Sequence, residues 1–368
     1  MKIIFSANSY VHLYKLRLEV IKRLISEGHE IIAVSGNDKY KKKIEDEGIK
    51  CLSINISPNS TNVISDFKLL IDYITTYRKI KPDIIFHSTI KPNIYGSIAS
   101  RILKIKTVNN ISGLGTIFFK NNFTQKIVKF LYRISQKKVE KILFQNNEDL
   151  EFFLINNFCK KNQVLRIPGS GVNTSFYKKS KNIKSKNLFS FAYIGRPVRE
   201  KGVIEYIDSA KLFSNSFTGV EFKILGGFDE RNSSEVTKNQ LLKKIEGYST
   251  IKIEGYQEDI REIYNRIDCL VLPSYREGLS NVIMEACSME IPVIASNVPG
   301  CNELITNDQN GFLFEEKNVQ STFNAMTKIY NLSEKRRLQM GYNGRKKMIN
   351  NYDIEIIKKI YHNIILNL

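Results

Sequence analysis

The chain has 368 residues, enough for about two domains with their own cores, and its 42% hydrophobic and 25% charged content exclude wholesale disorder. Its five cysteines form no C-x-x-C pair, which argues against structural zinc and for a reducing compartment. A formal net charge of +19 points to a polyanionic partner: nucleic acid, an anionic membrane surface, or a diphosphate substrate.

The N-terminal apolar run is too short for a signal-peptide core, and no apolar run reaches transmembrane length. A cytoplasmic protein, or one on the cytoplasmic face of a membrane, is expected. A strand at 2–5, a helix carrying Leu13, Leu16, Val20, Ile21 and Leu24 at core spacing, a stop at Gly28 and a strand at 30–35 predict a βαβ opening. The first loop lacks the G-x-G-x-x-G fingerprint, which weakens a nicotinamide or flavin reading. A helix at 66–80 leads into a buried strand at 83–86, which delivers His87, Ser88, Thr89 and Lys91 to the carboxyl edge of the sheet. His87 there is either a structural histidine or an active-site contact. A small-residue helix at 93–102 and a strand at 107–111 run into Ser112 and Gly113, where glycine allows close backbone approach.

Residues 118–144 interleave Phe118, Phe119, Phe123, Ile127, Phe130, Leu131 and Ile134 with Lys120, Lys126, Lys129, Arg133, Lys137, Lys138 and Lys141, with Glu140 the sole acid. The apolar stripe is core or membrane-facing; the basic face suits an anionic leaflet, at roughly 1 kcal/mol per cation. The residues at 143–145 read as the last strand of the first domain, and the polar run 178–187, bounded by Gly169 and Gly171, as a linker. Strands at 188–194, 221–225, 251–254, 270–272 and 292–296 then repeat the alternation, and 333–368 is helical and basic. The strand at 188–194 delivers Gly195 and Arg196, and Lys201 opens the next helix. Both cations are placed to converge on a diphosphate, although a helix-start lysine is also commonly just solvated. The stretch 274–286 follows a buried strand, has Ser280 as its N-cap, and sets Glu277 and Glu285 at the mouth and in the body of a helix. One carboxylate can accept the hydroxyls of a ribose, and the other those of a sugar.

The run 273–304, with its E-G-L-S-N-V-I-M-E core, and the run 195–202 resemble the donor site of family-4 retaining glycosyltransferases with the GT-B fold. The runs 89–96 and 112–115 resemble the branch that builds capsule, O-antigen and lipid-linked oligosaccharides. The resemblance implies an α/β protein of two Rossmann-like domains facing across a cleft. It implies an acceptor domain at 1–170, a donor domain at 171–350, and a C-terminal helix at 351–368 crossing back to the first. It further implies that Arg196 and Lys201 hold the donor diphosphate and Glu285 the ribose. Glu277, with Gly278, Leu279 and Ser280, would meet the sugar, and Tyr256 would border the uracil. Relatives carry a histidine where this chain has Ser112, so the group acting there is open between His87 and backbone carbonyls. In a retaining front-face reaction the leaving diphosphate can take the acceptor proton, and the cations stabilise the charge that grows on it.

No D-x-D pair is present, so no metal and no cofactor is expected, only a UDP-sugar as donor substrate. The expected function is transfer of an N-acetylhexosamine or hexose to an undecaprenyl-diphosphate-linked acceptor, on the inner face of the cell membrane through 118–144. A GT-B sugar-nucleotide epimerase and a polyanion or nucleic-acid binder are the alternatives. No recognised nucleic-acid motif accompanies the charge, so no specific nucleic acid is expected as a partner.

Overall fold

The computed structural model describes residues 1–57, 62–114, 123–180, 188–228 and 236–368. The chain forms two compact units: Met1–Ser170 with Ile354–Leu368, and Gly171–Asp353. The change of unit falls beside Gly169 and Gly171, whose φ angles of 65° and 73° suit glycine. Of the polar run expected to be a linker, 178–180 therefore lies in the second unit, and 181–187 lies outside the described residues.

The first unit runs β1 (Lys2–Ala7), α1 (Tyr10–Leu16), α2 (Leu18–Ser26), β2 (Glu30–Ser35), α3 (Lys41–Glu45), β3 (Lys50–Ser53) and α4 (Val63–Ile80). It continues with β4 (Ile84–Ser88), α5 (Ser97–Leu103), β5 (Lys106–Ile111), α6 (Phe123–Ser135), β6 (Lys141–Phe144), α7 (Asn147–Ile155) and β7 (Val164–Arg166). Its seven strands form a parallel sheet in the order β3-β2-β1-β4-β5-β6-β7. The single helix expected after β1 breaks at Arg17, whose guanidinium turns back to donate to the Leu16 carbonyl at 2.7 Å and to Ser170 Oγ at 2.9 Å. β7 extends the sheet beyond the strand expected to be its last; three residues long, it carries no periodicity to read.

The second unit holds β8 (Phe189–Ile194), α8 (Val203–Ser216), β9 (Val220–Leu225), α9 (Lys238–Lys244), β10 (Ile251–Gly255), α10 (Arg261–Tyr264) and β11 (Cys269–Leu272). Then come α11 (Asn281–Ser288), β12 (Val293–Ser296), β13 (Gly311–Phe314), α12 (Val319–Asn331) and α13 (Glu334–Asn351). The sheet order is β10-β9-β8-β11-β12-β13, again parallel. Its central strands β8, β11 and β12 are almost wholly buried, as expected where helices cover both faces, whereas β9 alternates and leaves Glu221 and Lys223 half-buried.

The last helix, α14 (Ile354–Leu366), packs on the first unit, burying Ile357, Tyr361 and Ile364 in the core that contains Phe5 and Phe86. Tyr361 lies 5.1 Å from the Phe86 ring and accepts from Asn110 at 3.3 Å, while Lys358 pairs with Glu19 at 3.3 Å. The rest of the terminal helical stretch, α13, stays in the second unit.

Candidate functional site

In an open parallel sheet the ligand crevice lies outside the carboxyl ends of the strands, where the strand order reverses. In the second unit that point is between β8 and β11. The loop after β8 is pressed onto the end of β11: Gly202 has φ 70°, and a Cβ there would stand 2.0 Å from the Pro273 carbonyl oxygen. Tyr275 N–H donates to the Glu200 carbonyl at 2.9 Å, and its hydroxyl to Glu205 Oε1 at 2.6 Å. The loop after β12 closes the same site, since a Cβ on Gly300 would come 2.6 Å from the Gly278 carbonyl, and the Ser280 N–H donates to the Gly300 carbonyl at 3.2 Å.

This packing brings Lys201 Nζ to 2.6 Å from Glu277 Oε1, half-shielded from solvent. Arg196 is exposed on the same loop, fixed through its carbonyl, which accepts from buried Tyr193 at 2.7 Å. Gly195 sits against Gly226, where a Cβ would be 1.9 Å from the Gly195 carbonyl. Ser280 caps α11, accepting from Ile283 N–H at 3.4 Å, and Leu279 is buried beneath the loop. Gly278 is half-buried on the same turn. Tyr256, 48% exposed, follows β10 and lies against Gly227.

Glu285 is half-buried on α11 and accepts from Tyr264 at 3.0 Å. Tyr177 also hydrogen-bonds it, and burial first, then the Glu285 charge, pushes both phenols up. Two tyrosines thus orient this carboxylate. The sequence gives no sign of them, because Tyr264 reads as an ordinary apolar helix position.

The first unit arranges its residues differently. His87 is wholly buried rather than presented to a ligand: it packs against Tyr73 and Tyr77, bonds the Tyr77 hydroxyl through Nε2 at 2.8 Å and Asn109 Oδ1 through Nδ1 at 3.0 Å. Asn109 Nδ2 donates to Gln136 Oε1 at 2.6 Å, which turns its oxygen to the ring and makes Nδ1 the protonated nitrogen. Burial lowers the His87 pKa to about 4. Both nitrogens are occupied, so the active-site reading of His87 is replaced by a structural one. Lys91 is likewise buried and paired with Asp66 at 2.6 Å, so its charge is compensated. Ser112 and Gly113, with φ 122°, remain half-buried at the carboxyl end of β5.

The basic stretch 118–144 divides. Phe118, Phe119 and Lys120 lie outside the described residues, as does the Phe123 side chain. Val128 and Tyr132 are core, and Ile142, Leu143 and Phe144 form a buried strand, whereas Ile127 and Phe130 are exposed beside Lys126 and Arg133. Among the described residues, none of the helices is long and apolar enough to cross a membrane, and no group of three or more His, Cys, Asp or Glu is placed to hold a metal.

The family model described as Glycosyl transferases group 1 matches residues 174–347, and that described as Glycosyl transferase 4-like matches residues 2–146. The chain is 26% identical to the N,N'-diacetylbacillosaminyl-diphospho-undecaprenol alpha-1,3-N-acetylgalactosaminyltransferase of Campylobacter jejuni, over the full length of both. It is 27% identical to the capsular polysaccharide biosynthesis glycosyltransferase CapM of Staphylococcus aureus, covering 92% of this chain and 90% of that one. The fold matches that of Anabaena HepE in complex with UDP, with a TM-score of 0.81, 19% identity and full coverage of both chains.

Proposed function

The chain belongs to the group 1, family-4 glycosyltransferases, retaining and metal-independent enzymes of GT-B fold, and on that premise we propose that it moves a hexose or N-acetylhexosamine from UDP to an undecaprenyl-diphosphate-linked acceptor. The Campylobacter relative, whose name states a diphospho-undecaprenol acceptor, supports the acceptor class, and the UDP complex of HepE supports the donor. Work at the inner face of the cell membrane, in surface-polysaccharide assembly, follows from such an acceptor.

One observation carries the site: Lys201 and Glu277 meet at 2.6 Å where the strand order of the second sheet reverses, beside exposed Arg196. In this reading Arg196 and Lys201 hold the donor diphosphate and stabilise the charge that grows on it as the glycosidic bond breaks. The departing diphosphate accepts the proton of the attacking hydroxyl on the same face of the sugar. Glu277 and the backbone from Gly278 to Ser280 hold the sugar, Glu285 holds the ribose, and Tyr256 borders the base. Ser112 and Gly113 face the acceptor side.

A panel of UDP-sugars with a lipid-linked diphosphate acceptor, followed by mass spectrometry, tests this. One UDP-sugar should extend the acceptor by one residue. Interconversion of a UDP-sugar without acceptor would make the protein an epimerase, and transfer only from donors other than UDP-sugars would overturn the donor assignment.

A further inference from the structure

Among the described residues, Arg17 is the largest side chain that the fold buries completely, at 1% exposed, and its hydrogen bonding is only half satisfied. Its Nη1 donates to the Leu16 carbonyl at 2.7 Å and to Ser170 Oγ at 2.9 Å, and its Cζ lies 5.9 Å from the centre of the Tyr361 ring. Nε and Nη2 form one forked edge of the guanidinium, and neither has a hydrogen-bond partner in the chain. Among the described residues no carboxylate pairs with Arg17. A cation shut away from water without a counter-charge is costly. The contacts that tie Arg17 to the helix break and to Ser170 use Nη1 alone, so they do not account for the forked edge.

A second donor stands nearby on α1. His12 is close enough to feel the guanidinium: burial first, then the Arg17 charge, lowers its pKa to about 3. The ring is therefore neutral at pH 7. Its Nε2 is also buried without a partner in the chain, and the tautomer protonated there donates one more N–H.

Place and charge select the ligand. α1 follows the carboxyl end of β1, Ser170 follows that of β7, and Tyr361 accepts from Asn110 near the end of β5. Arg17 and Ser170 thus meet at the carboxyl edge of the first sheet, the edge that carries Ser112. The segments 8–18 and 160–171 hold Lys15, Lys160, Lys161 and Arg166 besides Arg17, and no acid. A guanidinium fork beside an imidazole N–H in basic surroundings suits a phosphate oxyanion, which accepts from both nitrogens of the fork.

We propose that Arg17 and His12 form an oxyanion site, built wholly from the first unit, that takes a phosphate group of the diphosphate-linked acceptor or free phosphate. This deepens the reading of the acceptor class and rests on it only for the first of these sources.

The test is calorimetric titration of the full-length protein with inorganic pyrophosphate while UDP is held at saturation, for the wild type, Arg17→Met, Arg17→Lys and His12→Ala. Circular dichroism and UDP affinity report the fold. Wild type should bind pyrophosphate, and Arg17→Met should bind it at least tenfold more weakly. Arg17→Lys and His12→Ala should each lose about three- to tenfold, with UDP affinity kept. Pyrophosphate should also raise the melting temperature of the wild type but not of Arg17→Met, since only the former gains a ligand in its folded state. The proposal is overturned if UDP-saturated wild type does not bind pyrophosphate, or if Arg17→Met binds it like wild type; should Arg17→Met fail to fold, Arg17→Lys is held to the same criterion. Acceptor kinetics separate the sources. A rise in KM for a diphosphate-linked glycan, absent for the same glycan on a neutral aglycone, assigns the site to the acceptor, whereas weakened pyrophosphate binding with both KM values unchanged assigns it to free phosphate. Pyrophosphate binding without any sugar transfer would remove the function reading and leave this site standing.

Discussion

The two sheets have the same all-parallel design and reverse strand order at equivalent points, yet they use their carboxyl edges in opposite ways. At the β1/β4 reversal the polar groups are spent on the protein itself: Asn8 N–H donates to Thr89 Oγ1 at 3.0 Å, His87 is sealed between Tyr77 and Asn109, and Lys91 is tied to Asp66. At the β8/β11 reversal the backbone loops brace one another through glycines, which leaves Arg196 exposed and Lys201, Glu277 and Glu285 half-exposed. Both edges pair their charges, Lys91 with Asp66 and Lys201 with Glu277, each at 2.6 Å; the difference is that Lys91 is buried in its pair whereas Arg196 stands exposed and Lys201 stays partly open beside Glu277.

The sharpest way to break that comparison is to remove the charges of the second edge. Lys201→Ala or Glu277→Ala should each cost about 2–4 kcal/mol of transition-state stabilisation, a fall of roughly 30- to 1,000-fold in kcat/KM, because preorganised charge is the main source of catalysis in such a site. The fold should persist with a loss of about 1–3 kcal/mol in stability, since the Glu277 side chain is only 11% exposed and removing one partner leaves the other charge uncompensated. Near-normal turnover in both variants would remove this site assignment.

The first edge should answer in stability instead. The His87 pKa is about 4 in the fold against 6.5 unfolded, so the unfolded chain binds the proton first as pH drops. This stability is present above pH 6.5 and is lost on going down toward pH 4, by about 3 kcal/mol at most. His87→Leu should remove that part of the pH profile and lower stability at pH 7 by about 1–3 kcal/mol, because the Tyr77 hydroxyl and Asn109 lose their partner. Denaturant melts across the pH range measure both. A large loss of turnover with stability intact would show instead that the ring reaches substrate.

The same contrast explains how much was legible beforehand. Apolar runs such as 84–86 and 269–272 must be interior strands, and the cations and carboxylates of the second edge lie in two short loops and the start of one helix, so linear spacing shows them together. The fate of His87 depends on Tyr77 from the preceding helix and Asn109 from the next strand, which only the sheet register brings into contact. Short edge strands such as β7 and β13 have too few residues to show a period. The helix break at Arg17 goes with a partner, Ser170, far along the chain.

A smaller effect would sharpen the picture of the second edge. Tyr264 reaches Glu285 from α10 and Tyr177 from the segment that opens the second unit, so the carboxylate is held from two directions before any ribose arrives. Removing both hydroxyls in Tyr264→Phe with Tyr177→Phe leaves the charge but frees the rotamer. Each hydrogen bond to a charged acceptor is worth about 1.5 kcal/mol at the low end, and part is recovered from water because Glu285 is half-exposed. A rise of about 5- to 10-fold in KM for the UDP-sugar is expected, with kcat nearly constant, since the ribose is remote from the reacting bond. The distinguishing readout is UDP against 2'-deoxy-UDP: wild type should prefer the ribose form, and the double variant should lose most of that preference. If the preference survives while overall affinity falls, the tyrosines support the fold of α10 and α11 rather than aim Glu285.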